Sequence, residues 1–250
     1  MTQSKILNKI ISSKIVADAA GNEYLLDSHI DESKGAFIQA IIQKKGYRHS
    51  IEIGCAYGIS SLYICDTLKT KKVREHSIID PYQDSQWHNI GIDNLKRDGI
   101  NFFHLIKEKS EIALPRLLAH GKQFDFAFID GWHTFDHFLL DFFYLNRLIK
   151  IGGTIVIDDV HLPAIKKAAK YLLNYPCYKL CGGIACQNTT AKKLKKIGVG
   201  PLRAAASLVP AKFRLKIFNS SIAGSELDYS MIALEKIADD QRNWDWFKEF

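Results

Sequence analysis

At 250 residues the chain is long for one ordinary domain and short for two, so a single α/β domain with extensions, spanning 1–250, is the economical expectation. Its 47% hydrophobic content suffices for a substantial core, and no run approaches the ~18 consecutive apolar residues of a membrane-spanning helix. The net charge of +7 is local: residues 187–225 carry eight basic side chains and no acidic one, while the remainder holds 26 basic against 27 acidic residues, which argues against a uniformly basic nucleic-acid binder.

The N-terminus is an amphipathic Lys/Ser/Ile pattern without the apolar core or small-residue cleavage site of a secretion signal, so a cytoplasmic location is expected. Residues 4–18 and 32–45 are predicted helices within an N-terminal helical part over 1–46. From residue 48 short apolar runs predict strands over 49–54, 76–80, 101–106, 124–130 and 153–159. Helical spacing fills the gaps, over 59–68, 87–98, 110–120, 135–149 and 163–173. Residues 188–225 break the rhythm and are read as an inserted basic segment, after which a late strand is predicted over 228–237. The five cysteines, Cys55, Cys65, Cys177, Cys181 and Cys186, are odd in number and lack zinc-ribbon spacing, so they read as reduced, apolar side chains. Continuous apolar strands alternating with helices predict an α/β fold: a Rossmann-like, doubly wound, mostly parallel sheet with helices on both faces. Ligands in such sheets bind beyond the C-terminal ends of the strands.

The chemistry-bearing residues fall at those ends. After the first strand of the alternation comes Gly54-Cys55-Ala56-Tyr57-Gly58, a turn that allows close backbone approach and leaves free N–H groups at the next helix. Ala56 stands where a dinucleotide fingerprint would have its middle glycine, so a pyrophosphate is not specifically indicated. Asp80 ends the second strand, placed to accept from ribose hydroxyls or to initiate a turn before Pro81. Ser110, after the third, reads as a helix N-cap facing an adenine. Asp130 follows the fourth strand and Asp158 and Asp159 the fifth. Three carboxylates at adjacent tips call for a divalent cation, with Mg²⁺, Ca²⁺ or Mn²⁺ suited to hard oxygen ligands, unless one of the last pair caps the following helix. His133 is the expected general base, because imidazole titrates near neutral pH, with His137 and His161 as second and third choices.

Together SHIDESKGAFIQAII, SIEIGCAYGISSL, SIIDPY, KSEIALPRL, AFIDGWHTFDHFLLDF, LIKIGGTIVIDD and MIALEKIADDQRNW resemble class I S-adenosylmethionine-dependent methyltransferases. The likeness is to the metal-dependent O-methyltransferases of the catechol type, more closely the bacterial branch that modifies macrolide sugars and cephalosporin intermediates. It spans about residues 28–160 and rejoins near 230. The resemblance implies that Gly54, Gly58 and Ser60 contact the methionine part of the cofactor, with Glu52 in the same motif. It implies Asp80 at the ribose, Ser110 at the adenine, and Asp130, Asp158 and Asp159 on a divalent cation such as Mg²⁺, Asp130 also counting toward the cofactor set. Catechol enzymes carry a lysine as base three residues past the first metal aspartate. This chain has His133 there, as the sugar-modifying branch does, which favours a small-molecule sugar or aliphatic hydroxyl over a catechol. Homo-oligomers, often dimers, are expected of such enzymes.

Two other readings stay open from sequence. The basic segment raises a nucleic-acid methyltransferase, against which Asp130-Gly131-Trp132-His133 replaces the Asn/Asp-Pro-Pro-aromatic loop of base-modifying enzymes. A non-catalytic module of the same fold, associating through the basic segment or the aromatic tail with Trp244 and Trp246, would bind no metal.

Overall fold

Residues 4–186 and 227–250 are described in a computed structural model, so the basic segment expected at 188–225 lies outside the described residues. The helix expected over 4–18 ends early. After α1 (Lys5–Ser13) the chain passes through Lys14 at a left-handed φ of 56° and folds back as a hairpin of β1 (Ile15–Ala17) and β2 (Glu23–Leu25). A β-branched Ile-Val pair favours the extended chain, and Asp18 Oδ1 accepts the N–H groups of Ala20 and Asn22, each at 2.9 Å, to shape the turn. The next helix, α2 (Glu32–Lys45), falls where expected, capped by the Asp31 carboxylate and ended by Gly46 at φ 70°.

Strand and helix then alternate: β3 (His49–Ile53), α3 (Ile59–Leu68), β4 (Glu75–Ile79), α4 (Ile90–Arg97), β5 (Phe103–Ile106), α5 (Ser110–Ala119), β6 (Phe124–Ile129), α6 (Phe135–Leu148), β7 (Ile149–Ile157) and α7 (Pro163–Leu172). The late strand is β9 (Tyr229–Lys236), and before it comes β8 (Tyr178–Ala185), which sequence patterning missed. Its Gly182-Gly183 pair reads as a strand breaker. In the sheet Gly183 is required, because a Cβ there would lie 2.8 Å from the Tyr229 ring.

The main sheet has the order β5-β4-β3-β6-β7-β9-β8, with β3 to β7 parallel and β9 antiparallel to both neighbours. Alternation divides its side chains between two cores. Ile51, Ile53, Ala127 and Ile129 pack with Leu114, Phe142 and Ala168 of α5, α6 and α7. Phe126, Phe128 and Val156 pack on the other face with Ile10, Ile38, Leu62 and Leu95 of α1 to α4. Fully burying each of the larger of these side chains contributes about 1.5–3 kcal/mol before entropy is counted. From β3 the chain winds outward through β4 and β5, then crosses back to β6 on the other side. The strand order therefore reverses between β3 and β6, which opens a crevice at their C-terminal ends. Among the described residues no helix is long and apolar enough to cross a membrane.

Candidate active site

A cavity of about 590 Å³ lies over that reversal point. Gly54 forms its floor at the exit of β3, with φ 86°, and a Cβ at this position would lie 2.1 Å from the backbone oxygen of Asp130. Only glycine lets the two strand exits approach so closely. Ala56 follows at φ 47°, a left-handed residue held because its N–H and that of Cys55 both donate to Asp80 Oδ2, at 3.0 and 3.1 Å. Gly58, at φ 80°, begins α3 without a side-chain cap, so first-turn N–H groups are left for a ligand, while Ile59 and Ser60 line the cavity.

Not every expected cofactor residue reaches the wall. Gly58 packs instead against Gly91, where a Cβ would lie 2.7 Å from the Gly91 carbonyl oxygen. Glu52 faces away from the cavity, fully buried, its Oε2 accepting from the Ser61 hydroxyl and standing 3.2 Å from His76 Nε2. Asp80 does line the cavity, but its carboxylate already takes four donors. Besides Cys55 and Ala56, Tyr82 N–H donates to Oδ1 at 2.9 Å and Gln83 Nε2 to Oδ2 at 2.8 Å. The carboxylate thus shapes the turn, chiefly through Oδ2, while Oδ1, with the single donor Tyr82 N–H, keeps room to accept another. Ser110 lines the cavity as the first residue of α5; the N-cap is Lys109, so the capping role expected of Ser110 is not what it does. Its hydroxyl instead bonds Asp141, whose carboxyl burial pushes up to about 6.

Across the cavity stand the carboxylates. Neither Asp158 nor Asp159 caps a helix, since α7 begins at Pro163 with Leu162 as its cap. Asp159 is left-handed at φ 52°, a strained conformation that aspartate tolerates better than most residues. His133 Nε2 lies 3.5 Å from Asp130 Oδ1 and 3.4 Å from Asp159 Oδ2. The ligand atoms of Asp130, His133 and Asp159 fall within 4.8 Å of one another, a spacing and donor set that fit a divalent cation. Asp158 stands apart from that group, paired with Lys34 of α2 at 2.5 Å.

The electrostatics follow. Burial and the Asp130 charge push the Asp158 carboxyl up to about 7 against the pull of Lys34. Burial also raises Asp130, which His133 partly offsets. The hydrogen bond to Asp130 raises His133, and burial works the other way. Lys34 is raised as well: burial disfavours its charge, but Asp158 and Asp159 outweigh that.

Sequence reasoning overlooked several wall residues. Lys34 was legible in principle, being a cation in a first helical turn where the dipole disfavours it. Trp132, 60% exposed, offers a flat apolar wall. His29 lines the cavity from the loop after β2, and burial lowers its imidazole. His88, in the loop before α4, stacks on Tyr24, ring centroids 4.7 Å apart.

Residues 51–160 match the model of a family described as a methyltransferase domain. No curated protein matches the chain. An O-methyltransferase from Bacillus cereus, solved in complex with SAH, is similar in structure with a TM-score of 0.62 at 17% identity, over 94% of this chain and 93% of that one. The O-methyltransferase TomG from Streptomyces achromogenes, involved in tomaymycin synthesis and solved with SAM, gives 0.60 at 15% identity over 93% and 89%. The SAH-bound methyltransferase PaMTH1 from Podospora anserina gives 0.52 at 18% identity over 64% and 76%. At such identities the likeness is one of fold. The matched stretch runs from Ile51 in β3 to Val160 just past β7 and takes in both ends of the cavity, so that part of the chain is similar to a methyltransferase domain and the fold is the one these methyltransferase structures share.

Proposed function

We propose that the protein is an S-adenosylmethionine-dependent O-methyltransferase acting on a hydroxyl of a small molecule, such as a sugar or natural-product moiety. One observation carries this reading: His133, held between Asp130 and Asp159, faces the glycine turn of a methyltransferase domain across a single cavity. The named relatives bind SAM or SAH on the same fold, which supports the cofactor.

In this reading Gly54, Ser60 and the N-terminus of α3 hold the amino-acid part of the cofactor, and Asp80 and Ser110 lie toward the ribose and adenine. Glu52 and Gly58 act from beneath, through Ser61 and Gly91. The substrate hydroxyl lies beside His133, whose Nε2 takes its proton as the oxygen attacks the sulfonium methyl; the sulfur–carbon bond breaks and a neutral thioether leaves. A divalent cation such as Mg²⁺, held by Asp130 and Asp159 with Asp158 or His133, would supply positive charge that stabilises the developing oxyanion. If His133 became a ligand it could not also be the base, so Asp158 is the preferred third ligand.

Calorimetric titration with S-adenosylhomocysteine, with and without Mg²⁺, tests the reading. Micromolar binding is expected, followed by methyl transfer to a hydroxyl acceptor that a chelator abolishes. No heat of binding would rule out the cofactor, and chelator-resistant turnover would rule out the metal.

A further inference from the structure

Lys34 is a charged wall residue that the reaction above leaves unused, and it touches the carboxylate cluster. Two sequence features put it there. It stands in the first turn of α2, and Gly35 beside it lets that helix press onto α3, since a Cβ at Gly35 would lie 2.3 Å from the Tyr63 ring. The close approach carries Nζ to 2.5 Å from Asp158 Oδ1 and 3.6 Å from Asp159 Oδ1. Lys34 is 13% exposed and Asp158 only 3%, so water screens this pair weakly. The same Asp158 oxygen accepts the Asp159 N–H at 2.7 Å, which ties the ion pair to the left-handed residue. Asp158 is thereby kept out of the group formed by Asp130, His133 and Asp159.

We propose that Lys34 is the resident counter-ion of the carboxylate cluster, and that a divalent cation binds there in competition with its ammonium. The proposal rests on the O-methyltransferase reading for the expectation that a cation belongs at this site. Aspartates this close repel one another unless a positive charge stands between them. Lys34 supplies one from within the chain, so the cluster keeps its shape without metal. A divalent ion that recruits Asp158 must break the 2.5 Å contact and move the ammonium aside. An ion that leaves Asp158 alone still meets a fixed positive charge 3.6 Å from one of its own ligands. Either way Lys34 weakens metal binding and makes the ion exchangeable.

Free Mn²⁺, followed by its paramagnetic resonance signal during titration of the whole protein, reads this without any turnover. Lys34→Met is expected to bind Mn²⁺ at least tenfold more tightly than the native protein, and Lys34→Arg, which keeps the charge, no more tightly. Lys34→Gln repeats the measurement with a neutral polar side chain should the Met variant melt early. Equal or weaker Mn²⁺ binding by the neutral variants, or none by any of the proteins, overturns the proposal. Titrating the same samples with S-adenosylhomocysteine separates the two claims. Cofactor binding without a Lys34 effect on Mn²⁺ defeats this inference alone, whereas a Lys34 effect without cofactor binding defeats the methyltransferase reading and leaves the counter-ion in place.

Discussion

The two ends of the cavity are built on opposite principles. At the glycine turn most polar groups are partnered within the chain, and the uncapped first-turn N–H groups of α3 are left toward the cavity. Asp80 binds two of the turn's N–H groups, Gln83 Nε2 donates to Ala56 O at 2.8 Å, and Asn94 Nδ2 donates to Tyr57 O at 3.1 Å. At the other end three aspartates, a lysine and a histidine share too few partners, two of the carboxyls are raised, and Asp159 is strained. A closed hydrogen-bond network makes a rigid mould, which suits binding. Charge held in an unfavourable place is relieved when a reacting group arrives, which suits chemistry. The contrast teaches that binding and turnover should be separable by mutation here.

Substitutions at the two ends should therefore fail in different ways, and the largest effect is expected at the charged end. His133→Ala should lower kcat by roughly 10²–10⁴, the usual worth of a positioned base, while the Kd for S-adenosylhomocysteine stays within about twofold. Asp80→Ala should do the reverse. It strands the N–H groups of Cys55 and Ala56, at about 1–3 kcal/mol for each buried unpaired donor, so cofactor affinity and melting temperature should both fall. Loss of cofactor affinity in the His133 variant would erase the division of labour between the two ends.

A second comparison sharpens the first by moving to the backbone. Gly54→Ala forces a left-handed alanine and places its Cβ 2.1 Å from a backbone oxygen that cannot move aside. A loss of about 3 kcal/mol is expected in denaturant unfolding. Gly46→Ala, also left-handed but with open space around it, should cost about 1 kcal/mol. Similar losses at both sites would mean that the close approach of β3 to β6 carries no weight.

The sheet was legible in sequence because its strands are continuous apolar runs with acidic residues or glycine at their exits, and those exits define the cavity. What sequence could not show was where each side chain is spent. Asp80 reads in sequence as a residue for a sugar or for a turn, but the convergence of the N–H groups of residues 55 and 56 on it is visible only in the fold. Glu52 sits in the right motif, yet the alternation of β3 turns it to the opposite face from Ile51 and Ile53. Lys34 lies nearly a hundred residues from Asp130, and only the packing of Gly35 on Tyr63 brings it into the cluster. The strand β8 was hidden by its glycines, and the early end of α1 by an amphipathic pattern that continues into the hairpin.

The smallest effect expected is a displacement along the pH axis. The bond that His133 donates to the Asp130 carboxylate holds it above its ordinary value of 6.5, so the imidazole stays protonated to a higher pH than a free one. A base works only when deprotonated, so kcat should rise with pH through a midpoint above 6.5 and fall away below it. The sign for folding is opposite. A raised imidazole stabilises the fold fully below 6.5, and that contribution is lost as pH rises through the folded value. His133 is more than one-third exposed, so the stability change should be slight and the displacement is better read at the ring itself. Titrating the His133 ring protons by NMR in the cofactor-free protein should give a midpoint above 6.5 that moves down in Asp130→Asn. A midpoint at or below 6.5 in the native protein would mean that burial outweighs the Asp130 bond, and that the charged end is less strained than its geometry indicates.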